Sequence, residues 1–203
     1  MTWIPLALSR DVPSGATRSV ILDRQELVLW RGDAGTIQIW EDRCPHRGMR
    51  LSFGFVRGNS LNCLYHGWQY EAGSRCMKIP AHPDLEVPPS IKANAFEATE
   101  SGGLILLNQG TAEPPPVVLA GLPVASLAVD ADIKTLLQLC EARPLAGVQA
   151  FETTLEGIPL TIGWHASQPG HVMLHVIARD PGTESRALVA MHRLRAAAER
   201  EAA

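Results

Sequence analysis

Two short motifs, Cys44-Pro45-His46 and Cys63-Leu64-Tyr65-His66, constrain this chain more than any other feature. Sixteen residues separate His46 from Cys63. Two thiolates and two imidazoles are the ligand set of an asymmetric [2Fe–2S] cluster, in which the thiolates hold one iron and neutral imidazoles replace thiolates on the other. That exchange removes negative charge and raises the reduction potential above that of an all-cysteine cluster. Cys44 and Cys63 are expected on one iron, His46 and His66 on the other. The fold must therefore bring two loops side by side.

Local sequence supports that requirement. Each motif lies among Gly and Pro residues, where tight turns let a Cys and a nearby His converge. Between the motifs, residues 51–56 and 60–62 read as strands joined at Arg57-Gly58-Asn59, a hairpin that returns the chain to its starting level. Zinc is the competing occupant, since it also accepts two Cys and two His. Finger-type zinc sites, however, pair Cys with Cys and His with His along the chain, whereas each half here mixes the two.

The first 110 residues carry short strand patterns at 19–23, 26–31 and 36–40 and a closing strand at 103–108, which predicts an all-β domain. Alternation at 36–40 suggests one buried face, and Gly32-Asp33-Ala34-Gly35 reads as the preceding hairpin turn. Gly48, Gly67 and Pro45 are expected to let backbone N–H groups approach the cluster sulfides. Ser74 or Tyr65 is a further candidate donor, although Gly73-Ser74 has ordinary turn composition. Trp68 and Tyr70 read as walls that exclude water.

With 46% hydrophobic and 19% charged residues and a net charge of −3, the chain offers no basic surface for nucleic acid. The mild negative charge suits orientation of a protein partner, with no indication of where the carboxylates cluster. The apolar run 3–8 is short, interrupted by Pro5 and without a positive leader, so it does not read as a signal peptide. No stretch approaches the roughly 18 apolar residues of a membrane span. A cytoplasmic location is expected. Cys76 and Cys140 have no ligand-like neighbours and read as reduced core thiols.

The stretch Glu41-Asp42-Arg43-Cys44-Pro45-His46-Arg47-Gly48, with Leu51-Ser52-Phe53-Gly54, Cys63-Leu64-Tyr65-His66-Gly67-Trp68 and Ile79-Pro80-Ala81-His82-Pro83, resembles the N-terminal domain of Rieske non-heme iron oxygenases. The likeness is greatest to aromatic-ring hydroxylase and O- or N-demethylase alpha subunits and runs from about Trp3 to Gly110. It implies a Rieske [2Fe–2S] cluster on Cys44, His46, Cys63 and His66. Respiratory-complex Rieske proteins carry an extra, disulfide-bonded cysteine in each loop, and Met49 and Tyr65 stand nearest those places here.

A division into residues 1–112 and 113–203 is expected at Glu113-Pro114-Pro115-Pro116, a stiff connector. Beyond it, residues 130–142 have helical apolar spacing, 160–167 and 172–179 read as strands around Gln168-Pro169-Gly170, and an Ala-rich helix starts at Thr183. The overall expectation is a mainly β iron–sulfur domain followed by a small α+β region similar to the end of the helix-grip catalytic domain of Rieske oxygenases. In that family a mononuclear iron takes two closely spaced histidines, a carboxylate before the first and a distant aspartate. Position 162 is Ile, Pro169-Gly170 breaks any helix between His165 and His171, and no distant aspartate follows. If Pro169-Gly170 is a hairpin loop, His165 and His175 face each other across two strands. His82 and His192 read as surface histidines.

The leading functional expectation is an electron-transfer subunit of a hydroxylating or demethylating oxygenase system. It would receive single electrons from a ferredoxin or flavin reductase and pass them to a catalytic iron held elsewhere, in a homo- or hetero-oligomer. The alternatives are a compact terminal mono- or dioxygenase and a redox-sensing binding module.

Overall fold

The structure is a computed structural model that describes residues 2–110, 114 and 121–202. Its contacts divide the chain into two compact units. One comprises residues 11–21 and 25–98, the other residues 1–10, 22–24 and 99–203. The proline connector lies outside the described residues except for Pro114, as does the division expected at 112/113.

The first unit is all β. One four-stranded sheet has the spatial order Thr17–Leu22, Gln25–Arg31, Ile37–Glu41, Ala95–Phe96, and the other runs Phe55–Arg57, Ser60–Asn62, Gln69–Glu71, Cys76–Lys78. Register sets Val28 opposite Trp40, Leu61 opposite Tyr70 and Tyr70 opposite Cys76. These residues share one apolar core with Trp30, Leu51 and Ile79. Trp30 meets Trp40 edge to face, with ring centroids 5.0 Å apart, a geometry that contributes about 1 kcal/mol beyond burial alone. The strand Ile37–Glu41 buries Ile37, Ile39 and Trp40, so both of its faces are covered rather than the one that alternation suggested. Residues 51–56 differ from expectation too. Asp42 accepts hydrogen bonds from Ser52 N (2.7 Å) and Ser52 Oγ (2.6 Å), which draws Leu51–Phe53 into a 3-10 turn before the strand begins at Phe55.

The second unit contains a three-stranded sheet ordered Trp3–Leu8, Leu104–Asn108, Ala98–Ser101. A five-stranded antiparallel sheet runs Leu122–Val129, His171–Ala178, Ile158–Gln168, Ala150–Leu155, Arg143–Pro144. Period-2 alternation decides what each face of the latter meets. Leu160, Ile162, Leu174 and Val176 pack on Ala187, Met191, Leu194 and Ala198 of the helix Glu184–Glu201. Ile177, pointing the other way, joins Trp3, Leu8, Leu104 and Leu106. The expected helix at 130–142 is shorter, Ile133–Leu139. Among the described residues no helix is long and apolar enough to cross a membrane.

Candidate metal centre

The two motif loops have the same backbone construction. In the first, Gly48 N–H donates to Cys44 O (2.8 Å) and Cys44 N–H to Met49 O (2.8 Å). In the second, Gly67 N–H donates to Cys63 O (2.9 Å) and Cys63 N–H to Trp68 O (2.9 Å). Each loop is thus closed four and five residues after its cysteine. The closing glycines sit at φ +70° and +68°, a left-handed conformation that side chains resist. At Gly67 a Cβ would also come 3.1 Å from Pro80 Cγ. Within this shared frame the cysteines occupy equivalent places and the histidines are offset by one residue.

Thiols and imidazoles occupy different depths. Cys44 and Cys63 are 3% and 2% exposed and belong to the apolar core, whereas His66 is exposed and His46 partly so. The two imidazole centroids are 4.7 Å apart. Trp68 stacks on His46 at 4.2 Å with planes 7° apart, and Tyr65 lies 3.8 Å from His66 by ring centroids. These neighbours fix the ring planes, so few rotamers remain to be ordered when a ligand binds.

The electrostatics follow the same gradient. Burial pushes the free Cys63 thiol up; the adjacent Cys44 thiol adds to this, while backbone N–H groups of Tyr65 and His66 pull it down. Those N–H groups suit a thiolate. At His46, desolvation, then the His66 ring and the Arg47 guanidinium, hold the imidazole below its ordinary value, which favours the neutral ligating form. Tyr70 Oη lies 3.1 Å from Cys44 Sγ in the core. Burial, then the contact with Cys44, raises this phenol, so it remains a protonated donor to a thiolate.

The donor set fits a binuclear cluster: two sulfurs below, two ring nitrogens above, N–H donors aimed at sulfur, and a frame closed by paired turns. Sequence reasoning had assigned Tyr70 to packing alone, and the hydroxyl contact with Cys44 is new. Ser74 sits at φ +67° in a turn closed by its N–H to Glu71 O (2.8 Å). Cys76 is fully buried and Cys140 is 3% exposed; both are free thiols.

The remaining histidines separate into surface and buried groups. His82 and His192 are exposed, and half-buried His171 pairs with Asp130 at 2.7 Å. His165 and His175 are each 1% exposed, with rings 5.2 Å apart, but they do not face one another in register. An irregularity between Ala166 and Gln168 sets His165 opposite Met173 and His175 opposite Gly163. Because Gly163 has no side chain, the two rings meet diagonally, His175 Nε2 lying 3.2 Å from His165 Nδ1. His165 Nδ1 donates to Pro5 O (2.9 Å), and His175 Nδ1 lies 2.9 Å from Ser126 Oγ. Among the described residues, no three His, Cys, Asp or Glu side chains gather around a single ion-sized point.

Residues 2–89 match the Rieske [2Fe-2S] domain family. The oxidoreductase NdmD of Pseudomonas putida is 36% identical over 161 residues, covering 73% of this chain and 27% of NdmD. The 3-chlorobenzoate-3,4-dioxygenase oxygenase subunit of Comamonas testosteroni is 32% identical over 111 residues, covering 54% of this chain and 26% of the subunit. The chain thus spans about a quarter of the length of these relatives. In fold, it is similar to Pseudomonas putida CBB5 NdmA with caffeine at a TM-score of 0.75 and 20% identity, covering 98% of this chain and 80% of that one. Residues 2–89 therefore form a Rieske [2Fe–2S] domain whose cofactor is a Rieske-type [2Fe–2S] cluster, on a chain that is similar to oxidoreductase and oxygenase components.

Proposed function

We propose that this chain carries single electrons, with Cys44 and Cys63 holding the inner iron and His46 and His66 the outer one. The observation that carries the reading is the depth difference: thiols in the apolar core, imidazoles at the surface. A bound [2Fe–2S] cluster supplies one-electron redox chemistry at a potential raised by its neutral ligands. The protein's part is to hold the rings rigid through Trp68 and Tyr65, to exclude water from the sulfurs with the core around Tyr70, and to leave the imidazoles open to a partner. Fixed ligands keep reorganisation small during electron transfer.

In this reading a ferredoxin or flavin reductase supplies the electron and a catalytic iron held elsewhere in an oxygenase assembly receives it. NdmD, named an oxidoreductase, matches 73% of the chain, and the oxygenase subunit matches 54%. The buried histidines of the second unit have other hydrogen-bonding work, at Pro5 and Ser126. A cytoplasmic setting, with its reducing pools, fits free Cys76 and Cys140.

Metal and sulfide analysis tests the reading. The purified, coloured chain should contain about two irons and two sulfides and take up one electron. A third iron together with substrate-coupled oxygen consumption would replace it with a terminal oxygenase, and zinc alone would end it.

A further inference from the structure

We infer that Glu26 is a positioning residue for the first ligand loop: its carboxylate clasps Arg43 and Arg50, which flank residues 44–49, and so holds Cys44 and His46 in place for the cluster. This rests on the electron-transfer reading and adds what keeps its ligands in register. The two loops share their internal hydrogen bonds but differ at the base. In the second loop the flanking residues, Asn62 and Gln69, are strand partners, so the antiparallel ladder closes the base. Their counterparts in the first loop, Arg43 and Arg50, lie outside every strand among the described residues. Both are also cationic, and like charges on the two sides of a loop push its base apart.

Strand register supplies the carboxylate that prevents this. Leu27 pairs with Glu41, and one further backbone bond, from Asp42 N–H to Glu26 O (2.9 Å), extends that ladder to the foot of the loop. There Arg43 Nη2 donates to Glu26 Oε2 (2.7 Å), and Arg50 Nη2 donates to Glu26 Oε1. Each carboxylate oxygen serves one arginine. A single side chain thus spans the gap that a ladder pair spans in the other loop.

Second contacts fix both arginines. Arg43 Nη1 donates to Gly48 O (3.4 Å), at the left-handed turn that closes the loop. Arg50 Cζ lies 5.8 Å from the ring centroid of Phe53, in the 3-10 turn that buried Asp42 anchors through Ser52. The clasp therefore joins the start of the strand Gln25–Arg31, the turn at Gly48 and the turn at Leu51–Phe53. Its side chains are 24% exposed at Glu26, 54% at Arg43 and 40% at Arg50, so dissolved salt screens it, whereas the backbone ladder of the second loop is screened far less. The first loop is the one whose grip on a ligand depends on charge.

The test follows cluster release from the purified, loaded chain as loss of visible absorption in excess iron chelator. Glu26→Gln, which keeps the shape and removes the charge, should speed release about fivefold at low salt; about 1 M KCl should bring the unaltered chain close to that rate and leave the variant unchanged. Glu26→Arg combined with Arg43→Glu and Arg50→Glu rebuilds the clasp with its charges reversed and should recover about half of the lost lifetime or more. In the reduced protein, Glu26→Gln should broaden the nitrogen hyperfine coupling of one histidine and spare the other, a signature that a general loss of stability does not produce. Release from Glu26→Gln as slow as from the unaltered chain, salt-independent release from the unaltered chain, or no recovery in the triple variant would overturn the inference. If Glu26→Gln does not accumulate, the salt dependence and the triple variant decide. Dithionite separates the two levels: normal one-electron reduction with any of those results leaves the carrier reading intact, whereas an unaltered chain that binds no reducible cluster overturns both.

Discussion

Each unit of this protein contains a pair of histidine rings in contact, and their centroid separations are similar, 4.7 Å for His46 and His66 and 5.2 Å for His165 and His175. Their surroundings are opposite. The first pair stands at the surface above two buried thiols, on loops closed by left-handed glycines. The second is 1% exposed on a β-sheet, and its nitrogens meet Pro5 O, Ser126 Oγ and each other. Proximity of imidazoles alone therefore says little about metal chemistry. What would distinguish a ligand pair is a second donor type nearby, which the first pair has in the motif thiols Cys44 and Cys63.

The largest test of this contrast exchanges thiols. Cys63→Ser should abolish the visible absorption of the purified protein and lower its folding yield, because cluster binding and the closing of both loops are coupled. Cys76→Ser is the matched control: this thiol is fully buried in the same core, beside Tyr70, and should leave the colour in place. Absorption spectra and iron content check both. Loss of colour in the Cys76 variant alone would mean that the inner iron has been given the wrong sulfur.

A smaller effect is expected from the buried pair and appears in stability rather than colour. Burial holds His165 down to about 4, against an ordinary value of 6.5. Its Nδ1–H is committed to Pro5, and Nε2 has no hydrogen-bond partner in the core, so a second proton has nowhere favourable to go. The folded state thus prefers the neutral ring. The resulting stabilisation is fully present above pH 6.5 and is lost as the pH falls toward 4. A shift of this size corresponds to about 3 kcal/mol. Melting temperature should fall as the pH is lowered over that range, and His165→Gln should flatten the slope above pH 5, before carboxylates titrate. An unchanged slope would show that the ring is not held neutral by burial.

These contrasts also mark what the sequence could convey. The cysteines and histidines of the two loops were legible as a candidate set because their spacing is local: four donor residues, two turns and the glycines all lie within 25 residues of chain. The approach of His165 to His175 was legible as a hairpin but not in detail, since one irregularity at Ala166 shifts the register and makes the contact diagonal.

Tyr70 shows most directly why pattern falls short. Its alternation with Trp68 correctly marked it as inward-facing, but alternation gives a face and no partner. The partner follows from cross-strand register, which seats Tyr70 between Leu61 and Cys76 and brings its hydroxyl 3.1 Å from Cys44 Sγ. An O–H donated to a ligating thiolate stabilises the more electron-rich reduced state, so hydrogen bonds to cluster sulfurs raise the potential. Tyr70→Phe should therefore retain the cluster and its iron content while shifting the midpoint to a lower value in a spectroelectrochemical titration. Phe keeps the ring contact with Trp40, whose centroid lies 6.3 Å away, so the stability change should stay near 1 kcal/mol, the ordinary worth of one hydrogen bond. An unchanged midpoint would return Tyr70 to the packing role that alternation first suggested; a lower one makes it the residue through which the first unit tunes its sulfur ligands, a role for which the second unit's histidine pair has no counterpart.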